Sequence, residues 1–456
     1  MITDTQFTEL SLVLEGRVTR SKSDLDLHGQ SETWFANAAP DAVAYPHTTA
    51  EVSALMKICH AQAIPVIGWG TGTSLEGQSL AVHGGLCVDF SKMNAILKVH
   101  DADMDVTVQP GVTREQLNTD LRSTGLMFPV DPGANASLGG MAMTRASGTT
   151  AVRYGTMRDN VIGLEVVLAD GTIIHTGSRA RKSSSGYDLT ALFVGSEGTL
   201  GLVTELTLRL HGQPETINAA VCAFDDLDSA VNAVMATIQM GIPMARIEFL
   251  DSKSVEAVNA YAGTTYPLMP HLFVEFHGSE VGVADQVAMF GEIVQDFGAS
   301  GFDWAAKLED RNALWTLRHN AFYACLALKK GCISVVTDIC VPISKLAEAV
   351  RETADDIAKS FIDGPILGHV GDGNFHSVLL VEPDNELELA EAKRLAHRMA
   401  LRALKLGGTV TGEHGIGLGK KDFMTREHGA EAWAAMGALK AALDPKNIMN
   451  PGKLVP

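Results

Sequence analysis

The sequence predicts an α+β protein with two domains. The chain has 456 residues, and at roughly 150 residues per domain it is long enough for more than one hydrophobic core. Hydrophobic residues make up 46% of it and charged residues 20%, which is the balance of a folded chain rather than a disordered one. Strand-like and helix-like runs alternate along the sequence, and their rhythm changes near residue 212.

The first domain is predicted over residues 38–212, after a polar lead-in at 1–37. Thr48 and Glu51 have the spacing of a capping box and predict a helix to about residue 61. The Asp170-Gly171 pair separates two apolar runs and predicts a hairpin. A second helix is predicted at 113–125, with strands at 42–46, 64–67, 86–90, 96–99, 106–108, 161–168, 172–176 and 201–210.

The second domain is predicted from the regular alternation that follows a Gly- and Pro-containing segment at 211–214. Strands and helices alternate at 219–224, 227–239, 245–250, 252–260, 271–276 and 281–297, with a long helix at 386–406. This pattern is typical of a sandwich of ferredoxin-like α+β units, which we place at 213–442. Residues 443–456 are too rich in Pro and Asn for a core element, so we expect them to return across the first domain.

Charge and cysteine usage exclude several classes of protein. Lys and Arg total 36 against 54 Asp and Glu, a net charge of −18, so the surface lacks the cations that a nucleic acid requires. The six cysteines include no CxxC pair, which argues against a thiolate zinc cage or an iron–sulfur cluster. They are expected to be reduced thiols.

The N-terminal sequence and the hydropathy pattern bear on location. Asp4, Glu9 and Glu15 stand where a secretory or mitochondrial leader has basic residues. No apolar run reaches the roughly 18 residues that a membrane span needs. We therefore expect a cytoplasmic protein without a membrane span.

A glycine-rich segment follows the strand at 64–67 and suggests a phosphate-binding loop. Gly70, Gly72 and the hydroxyls around them offer consecutive backbone N–H groups and side-chain donors, which suit a pyrophosphate. The glycines fall at 68, 70, 72 and 77, which is not the spacing of the Rossmann fingerprint, so NAD is disfavoured. A glycine-rich turn without a ligand is the alternative.

Four later segments extend this pattern, at 131–140 (DPGANASLGG), 144–148 (TRASG), 153–155 (RYG) and 195–201 (GSEGTLG). In their order they resemble the FAD-binding domain of the vanillyl-alcohol oxidase, or PCMH-type, flavoproteins. The resemblance implies that the loops bind the pyrophosphate and flank the isoalloxazine of FAD. Residues 65–80 contain no His, so we expect noncovalent FAD. The implied cofactor-binding residues are Gly70, Thr71, Gly72, Thr73, Ser74, Pro132, Gly133, Gly139, Gly140, Thr144, Ser147, Gly148, Gly155, Glu197, Gly198 and Asn450.

Two histidines in GHVGDGNFH form a candidate metal site. If Asp372 and Gly373 are the two residues of a hairpin turn, His369 and His376 lie opposite one another with Cβ atoms about 5 Å apart. The Gly-rich motif TGEHGIG supplies a carboxylate at Glu413. Two histidines and one carboxylate suit catalytic zinc, and the same set suits iron(II) or manganese. A surface position or a hydrogen bond in the core is the alternative for each histidine by itself.

The second half of the chain resembles the FAD-linked oxidase C-terminal domain. The motifs that carry this resemblance are LWTLR, TDICVPIS, GHVGDGNFH, TGEHGIG and NIMNPGK. The resemblance implies a divalent metal, usually zinc, at His369, His376 and Glu413. It also implies His414 as the catalytic base and Arg318 as the residue that binds the substrate carboxylate. A surface ion pair with Glu309 or Asp310 is the alternative for Arg318.

The resemblance implies a dehydrogenase that oxidises a D-2-hydroxy acid by hydride transfer to flavin N5. Relatives that act on dicarboxylates carry Asn two residues after the second histidine, where this chain has Val378. D-lactate, oxidised to pyruvate, is therefore favoured over D-2-hydroxyglutarate, and the flavin subunit of a glycolate oxidase is a further alternative. A non-catalytic flavoprotein subunit and a metal-dependent oxygenase without flavin are alternatives from other classes.

The implied chemistry requires partners. The substrate is a small 2-hydroxy acid, and electrons pass to an external acceptor, which is a cytochrome, a quinone or an electron-transfer flavoprotein. Through that acceptor the protein is expected to lie at the inner membrane only peripherally. A homodimer is one assembly that the sequence leaves open.

Overall fold

A computed structural model describes residues 1–305 and 307–455 and divides the chain into two compact units. Unit 1 comprises 1–147, 155–213 and 413–455, and unit 2 comprises Gly148–Tyr154 and Pro214–Gly412. The chain passes from unit 1 to unit 2 between residues 213 and 214, next to the predicted domain boundary at 212. The division differs from the predicted one in two places, because 148–154 belongs to unit 2 and 413–442 belongs to unit 1.

Unit 1 contains eleven of the strands in the described part of the chain. They are β1 (Val18–Thr19), β2 (Ala42–Ala44), β3 (Val66–Trp69), β4 (Leu86–Asp89), β5 (Ile96–His100), β6 (Asp105–Val108), β7 (Leu126–Met127), β8 (Val161–Val167), β9 (Ile173–Gly177), β10 (Leu202–Arg209) and β11 (His211–Gly212). Its α-helices are Asp4–Val13, Lys22–His28, Thr49–Gln62, Arg114–Asp120, Leu138–Thr144, Met157–Asn160, Leu189–Phe193, Met424–His428 and Ala430–Leu443.

The strands of unit 1 form a four-stranded sheet in the order β1-β2-β4-β3, a five-stranded sheet in the order β5-β6-β10-β8-β9, and the pair β11-β7. In the first sheet β2, β4 and β3 are parallel, and the helix Thr49–Gln62 connects β2 to β3. The five-stranded sheet is antiparallel. Its β8–β9 hairpin turns at the Asp170-Gly171 pair, as predicted.

The helix Thr49–Gln62 begins where the sequence predicts, but its capping box is only half formed. The Thr48 side chain accepts a hydrogen bond from the Glu51 N–H. The Glu51 carboxylate, however, accepts from the His47 N–H and from the Arg17 guanidinium. The His47 N–H and the distant Arg17 thus take the place of the Thr48 N–H that a complete capping box would use.

The C-terminal segment lies against the four-stranded sheet of unit 1. Val66 of β3 bridges to Met449, and the Asn450 N–H donates to the Val66 carbonyl over 2.8 Å. Ile448 and Met449 are 2% and 0% exposed, and they join the apolar core that this sheet shares with the helix Thr49–Gln62. Residues close to the C-terminus are thereby fixed beside the glycine-rich loop that follows β3.

Unit 2 contains β12 (Thr216–Ala223), β13 (Met244–Leu250), β14 (His271–Gly278), β15 (Ser300–Ala305), β16 (Ile333–Val336), β17 (Ile339–Cys340), β18 (Ile366–Gly368) and β19 (Asn374–Val381). Its α-helices are Ala151–Tyr154, Leu227–Gln239, Ser252–Ala262, Glu280–Asp296, Leu308–His319, Ala321–Ala327, Leu346–Ala358 and Glu386–Lys405. The strands form one antiparallel sheet in the order β15-β12-β14-β13-β18-β19-β16, with β17 paired to β19.

The central strands of unit 2 are buried on both faces. All eight residues of β19 are buried, and so are seven of the eight residues of β14. Charged and imidazole side chains on such strands are costly unless they are paired and hydrogen-bonded. The polar residues of β13, β14 and β19 are therefore the first places to look for chemistry. Among the described residues, no helix is both long and apolar enough to cross a bilayer.

Candidate active site

The buried carboxylate of Glu248 organises one part of unit 2. Glu248 lies on β13 and is 0% exposed. Its Oε2 is 2.6 Å from Nη2 of Arg318, which comes from the last turn of the helix Leu308–His319. Its Oε1 is 2.8 Å from Nδ1 of His369. One carboxylate thus holds a cation and an imidazole from two separate segments of the chain.

Arg318 does not form the surface ion pair that the sequence leaves open. The residue is 6% exposed, and its partner is Glu248 rather than Glu309 or Asp310. A buried guanidinium is held in one orientation by its pair and presents its remaining N–H donors in a rigid fork. This state suits a residue that binds a carboxylate, although that role stays a prediction.

The helix Leu308–His319, which carries Arg318, is fixed at a second point by Glu275 on β14. The Trp315 indole N–H and His277 Nε2 lie 2.5 and 2.7 Å from the Glu275 carboxylate. Burial opposes its charge, but Arg246 and His277 hold the pKa of Glu275 below its ordinary value. His277 also bonds through Nδ1 to the Tyr154 hydroxyl over 2.7 Å. These bonds give His277 a structural role and anchor the helix three residues before Arg318.

The predicted hairpin geometry of His369 and His376 is wrong in its register. Strand β18 pairs with β19, but His376 lies opposite Leu367, not opposite His369. Residues 370–372 form a 3₁₀ turn and Gly373 has φ +78°, so the connection is longer than the two-residue turn assumed. The two rings still approach, with centroids 5.6 Å apart and planes at 83°.

Hydrogen bonds orient both imidazoles in the same way. Nδ1 of His369 faces the Glu248 carboxylate, and Nδ1 of His376 lies 3.0 Å from the Thr337 carbonyl. Carboxylate and carbonyl oxygens only accept, so the neutral rings carry hydrogen on Nδ1 and a lone pair on Nε2. Metal-binding histidines show this arrangement, with an outer acceptor that fixes the tautomer. The two histidines of unit 2 are therefore suited to be ligands of a divalent cation.

Asp338 is a further candidate ligand that the sequence interpretation missed. It is 1% exposed, and its Oδ1 is 3.6 Å from Nδ1 of His376. Its carboxylate accepts from Asn374 Nδ2 at 2.9 Å and from the Thr411 hydroxyl at 2.7 Å. The Asp338 carbonyl accepts from the Gly412 N–H at 3.0 Å. Asp338 thus anchors the chain immediately before Glu413, and its place in the TDICVPIS motif was the available signal.

Glu413 and His414 begin the part of unit 1 that follows Gly412. Oε1 of Glu413 is 4.0 Å from Nε2 of His414. The His414 carbonyl accepts from Gln78 Nε2 over 2.6 Å. Two polar side chains of the predicted site are thus adjacent, and their loop is attached to the segment that follows the glycine-rich loop of β3.

The predicted flavin loops of unit 1 converge on the helix Leu138–Thr144. A Cβ on Gly70 would lie 2.2 Å from the Ser137 hydroxyl at the start of this helix. A Cβ on Gly139 would lie 2.5 Å from the Pro110 side chain. At the other end, the Glu197 N–H donates to the Met143 carbonyl over 2.9 Å. The approaches at 70 and 139 leave no room for a side chain and therefore require glycine.

The remaining predicted flavin residues lie on the same loops or beside them. Gly72, Gly155 and Gly198 adopt φ values of +72°, +75° and +70°, which favour glycine. Thr144 donates through its hydroxyl to the Gly140 carbonyl over 3.2 Å, and Ser147 is 8% exposed. The others in unit 1, Thr71, Thr73, Ser74, Pro132 and Gly133, are on the segments at 70–74 and 131–140, and Gly148 begins the segment Gly148–Tyr154 of unit 2.

Two members of the predicted flavin set use their side chains elsewhere in unit 1. The Glu197 carboxylate accepts from the backbone N–H groups of Ile416 and Gly417. Asn450 donates through its side chain to the carbonyls of Gln78 and Glu197, over 3.0 and 2.7 Å. Burial raises the pKa of Glu197 to about 7. The backbone N–H groups of both residues are also engaged within unit 1, with the carbonyls of Met143 and Val66, so contact of either residue with FAD stays a prediction.

Comparison with known protein families gives a boundary at the same place, near residue 213. The family described as FAD linked oxidases, C-terminal domain, matches residues 213–454. The family described as FAD binding domain matches residues 40–177. The chain belongs to the FAD-linked oxidase family and is an FAD-binding oxidoreductase. This membership removes the alternative of an oxygenase without flavin.

Three individual proteins are similar to this chain over most of its length. The chain is 52% identical to a protein of Danio rerio named as a probable mitochondrial D-lactate dehydrogenase, over 94% of this chain and 87% of that one. It is 43% identical to the mitochondrial D-lactate dehydrogenase [cytochrome] of Arabidopsis thaliana, over 98% and 80%. It is 37% identical to the glycolate oxidase subunit GlcD of Bacillus subtilis (strain 168), over 91% and 89%.

Solved structures support the fold alone. A p-cresol methylhydroxylase with substrate bound superposes with a TM-score of 0.80 at 19% identity, covering 99% of this chain and 97% of that one. An alkyldihydroxyacetonephosphate synthase gives a TM-score of 0.78 at 19% identity, covering 99% and 86%. The predicted combination of a PCMH-type FAD-binding domain with an FAD-linked oxidase C-terminal domain is confirmed.

The expectation of a cytoplasmic protein is wrong by these comparisons. The relatives from Danio rerio and Arabidopsis thaliana are both named mitochondrial, and so are those from Saccharomyces cerevisiae and Kluyveromyces lactis. These names point to mitochondria. The acidic residues of the first 15 positions were therefore a poor guide to location.

Proposed function

We propose that this protein oxidises D-lactate to pyruvate, with FAD as the electron acceptor inside the protein and a divalent metal ion as an aid to the chemistry. One observation carries the proposal. In a chain 52% identical to a protein named as a probable D-lactate dehydrogenase, a buried carboxylate orients both an arginine suited to a substrate carboxylate and an imidazole suited to a metal. Metal-assisted oxidation of a 2-hydroxy acid requires both a group that binds the substrate carboxylate and a group that binds the metal.

FAD, when bound, takes up the hydride that leaves Cα of the hydroxy acid. The glycine-rich loops at 70–74, 131–140, 144–148 and 195–198 would hold it through backbone N–H groups and hydroxyls. Residues 65–80 lack a histidine for a covalent link, which supports noncovalent binding. The contacts of Gly70 and Gly139 described above keep these loops close together around one helix.

A divalent metal, when bound, lowers the pKa of the substrate hydroxyl and orients the substrate. His369, His376 and Glu413 would be its ligands. The acceptor oxygens that face Nδ1 of the two histidines support their part, and the anchoring of Gly412 by Asp338 supports a fixed position for the residue after it. Zinc is our first choice for a set of two histidines and a carboxylate, with manganese and iron as alternatives.

Arg318 and His414 would act directly on the substrate. Arg318 is always charged, and its planar fork matches a carboxylate. Its pairing with Glu248 fixes the plane of the guanidinium before substrate arrives, which lowers the cost of binding. His414 would accept the hydroxyl proton, since imidazole commonly titrates near about 6.5 and suits a general base at neutral pH.

The residue two positions after His376 supports a monocarboxylate substrate. Val378 lies on the same face of β19 as His376, because side chains alternate along a strand. It is 1% exposed and belongs to the apolar core of unit 2. An apolar side chain there offers no partner to a second carboxylate. This supports lactate over 2-hydroxyglutarate, while the identity to a glycolate oxidase subunit keeps glycolate as the second candidate.

An external acceptor would reoxidise the flavin. Relatives from Arabidopsis thaliana and Saccharomyces cerevisiae are named cytochrome-linked D-lactate dehydrogenases, so a cytochrome is our first choice, ahead of a quinone or an electron-transfer flavoprotein. The cysteines at 59, 87, 222, 325, 332 and 340 are free thiols and do not match a common iron–sulfur motif.

A panel of 2-hydroxy acids tests the choice of substrate. We expect kcat/KM for D-lactate, with a dye or cytochrome c as acceptor, to exceed that for L-lactate, D-2-hydroxyglutarate and glycolate by about tenfold or more, since the lost interactions are worth at least about 1.4 kcal/mol. A preference for glycolate or for 2-hydroxyglutarate would replace D-lactate as the substrate. No oxidation of any member would favour a non-catalytic flavoprotein subunit.

A further inference from the structure

We propose that Glu197 is a positioning residue whose carboxylate fixes the loop that carries Glu413 and His414. The family resemblance would make Glu197 a contact of the flavin, so this inference gives its side chain a different task. It rests on the proposed function only for the roles of Glu413 and His414. We call the hydrogen bonds between the Glu197 carboxylate and this loop the clamp. They lie within unit 1 and are observed independently of those roles.

The carboxylate of Glu197 meets the loop backbone with both oxygens. Oε1 accepts from the Ile416 N–H at 2.7 Å, and Oε2 accepts from the Gly417 N–H at 2.9 Å. Glu197 is 4% exposed, so water competes little for these bonds. Each of the two oxygens has its own backbone donor, so the carboxylate holds two successive residues of the loop at once. These residues are two and three positions after His414.

The glycines of the TGEHGIG motif make this approach feasible. Gly415 has φ +79°, and a Cβ there would lie 2.4 Å from Oε1 of Glu197. Gly417 has φ +47°, and a Cβ there would lie 2.1 Å from the Glu76 carbonyl. Gly415 therefore lies directly on the Glu197 carboxylate, with no space for a side chain between them, and Gly417 lies equally close to the Glu76 backbone.

Gln78 and Asn450 complete the attachment. Gln78 holds the His414 carbonyl through Nε2 at 2.6 Å. Asn450 donates to the carbonyls of both Gln78 and Glu197, so it joins the two anchors. Lys453 donates to Oδ1 of Asn450 at 3.0 Å. The C-terminal segment thereby braces the two residues that hold the loop.

Glu197 is held from its own side as well. It has φ +54°, an unusual conformation for a residue other than glycine, and its N–H donates to the Met143 carbonyl. These restraints aim the carboxylate at the loop. The Glu197 carbonyl accepts from the Asn450 side chain as well, so both the backbone and the side chain of Glu197 are fixed.

The substitution Glu197→Gln tests the clamp with little change in shape. One oxygen of the new amide still accepts, but its NH₂ group faces an N–H donor and that hydrogen bond is lost. We expect hydrogen exchange of the Ile416 and Gly417 amides to accelerate by about tenfold or more in the FAD-loaded protein. The FAD content and the visible spectrum are expected to match those of the unchanged protein.

A matched control and a second variant keep the test decisive. Glu205→Gln removes another partly buried carboxylate of unit 1, on β10 and outside the candidate site, and should leave exchange of the loop unchanged. Gln78→Met removes the anchor of the His414 carbonyl and should accelerate exchange of the same loop even if Glu197→Gln fails to fold.

Measurement of kcat then distinguishes a failure of this inference from a failure of the proposed function. We expect kcat for D-lactate to fall by about tenfold or more in Glu197→Gln, and a chelator to remove the metal more readily. Unchanged exchange of residues 416 and 417 would overturn the clamp, and unchanged exchange with loss of FAD would assign Glu197 to the flavin instead. Faster exchange with an unchanged kcat would support the clamp and contradict the catalytic roles of Glu413 and His414.

Discussion

Replacing His414 with Ala is expected to slow the reduction of bound flavin by D-lactate by about 10²- to 10⁴-fold, the usual contribution of a general base. The imidazole would no longer accept the proton of the substrate hydroxyl. The protein should keep its yellow colour, because the glycine-rich loops at 70–74 and 131–140 do not include this residue. Anaerobic stopped-flow measurement of the flavin absorbance gives the rate.

A control histidine shows that the loss is specific. His175 lies on β9 with an exposed side chain, and His175→Gln should leave the rate unchanged. Rapid flavin reduction in His414→Ala would remove this residue from its assigned role.

Replacing His376 with Ala is expected to weaken metal binding by about 10²-fold or more and to lower the rate of flavin reduction with it. A change in the groups around a metal ligand typically costs 10–100-fold, and loss of the ligand itself should cost at least as much. His376→Ala also removes a buried hydrogen bond to the Thr337 carbonyl. Metal analysis of the purified protein, alongside its FAD content, measures the effect.

His271 provides the matched control for His376→Ala. It is also buried on a strand of unit 2, and its Nδ1 lies 2.7 Å from the Met269 carbonyl. His271→Gln should therefore retain both the metal and the rate of flavin reduction. If His376→Ala purifies with its full complement of metal, then His376 is not a ligand and the candidate site must be redrawn.

Local patterns were sufficient for most of the fold. The helix Leu227–Gln239 matches its predicted bounds, and β8 and β9 form the predicted hairpin. These elements follow from apolar periodicity, turn residues and capping residues, all of which act between neighbours in sequence. The segment 148–154 is different. It joins unit 2 because Tyr154 and Arg153 bond to His277 and to Pro243, partners that no local pattern identifies.

In the candidate site as well, local sequence patterns do not identify partners that are distant in sequence. The histidines, Glu413 and Arg318 stand in recognisable motifs, so they were named from the sequence. Glu248 was not, because its importance arises from two partners 70 and 121 residues away. A glutamate inside the strand Met244–Leu250, where five of the other six residues are buried, was the available signal. Such a charge requires partners, and they mark the site.

The visible spectrum of the purified protein tests the central claim most directly. Under anaerobic conditions, D-lactate should bleach the flavin absorbance and L-lactate should not. Prior removal of the metal with a chelator should prevent the bleaching, and restoring zinc or manganese should return it. Bleaching by D-lactate at full rate after complete removal of metal would contradict the metal-assisted reaction. No bleaching by D-lactate in the metal-loaded protein would contradict the proposed function.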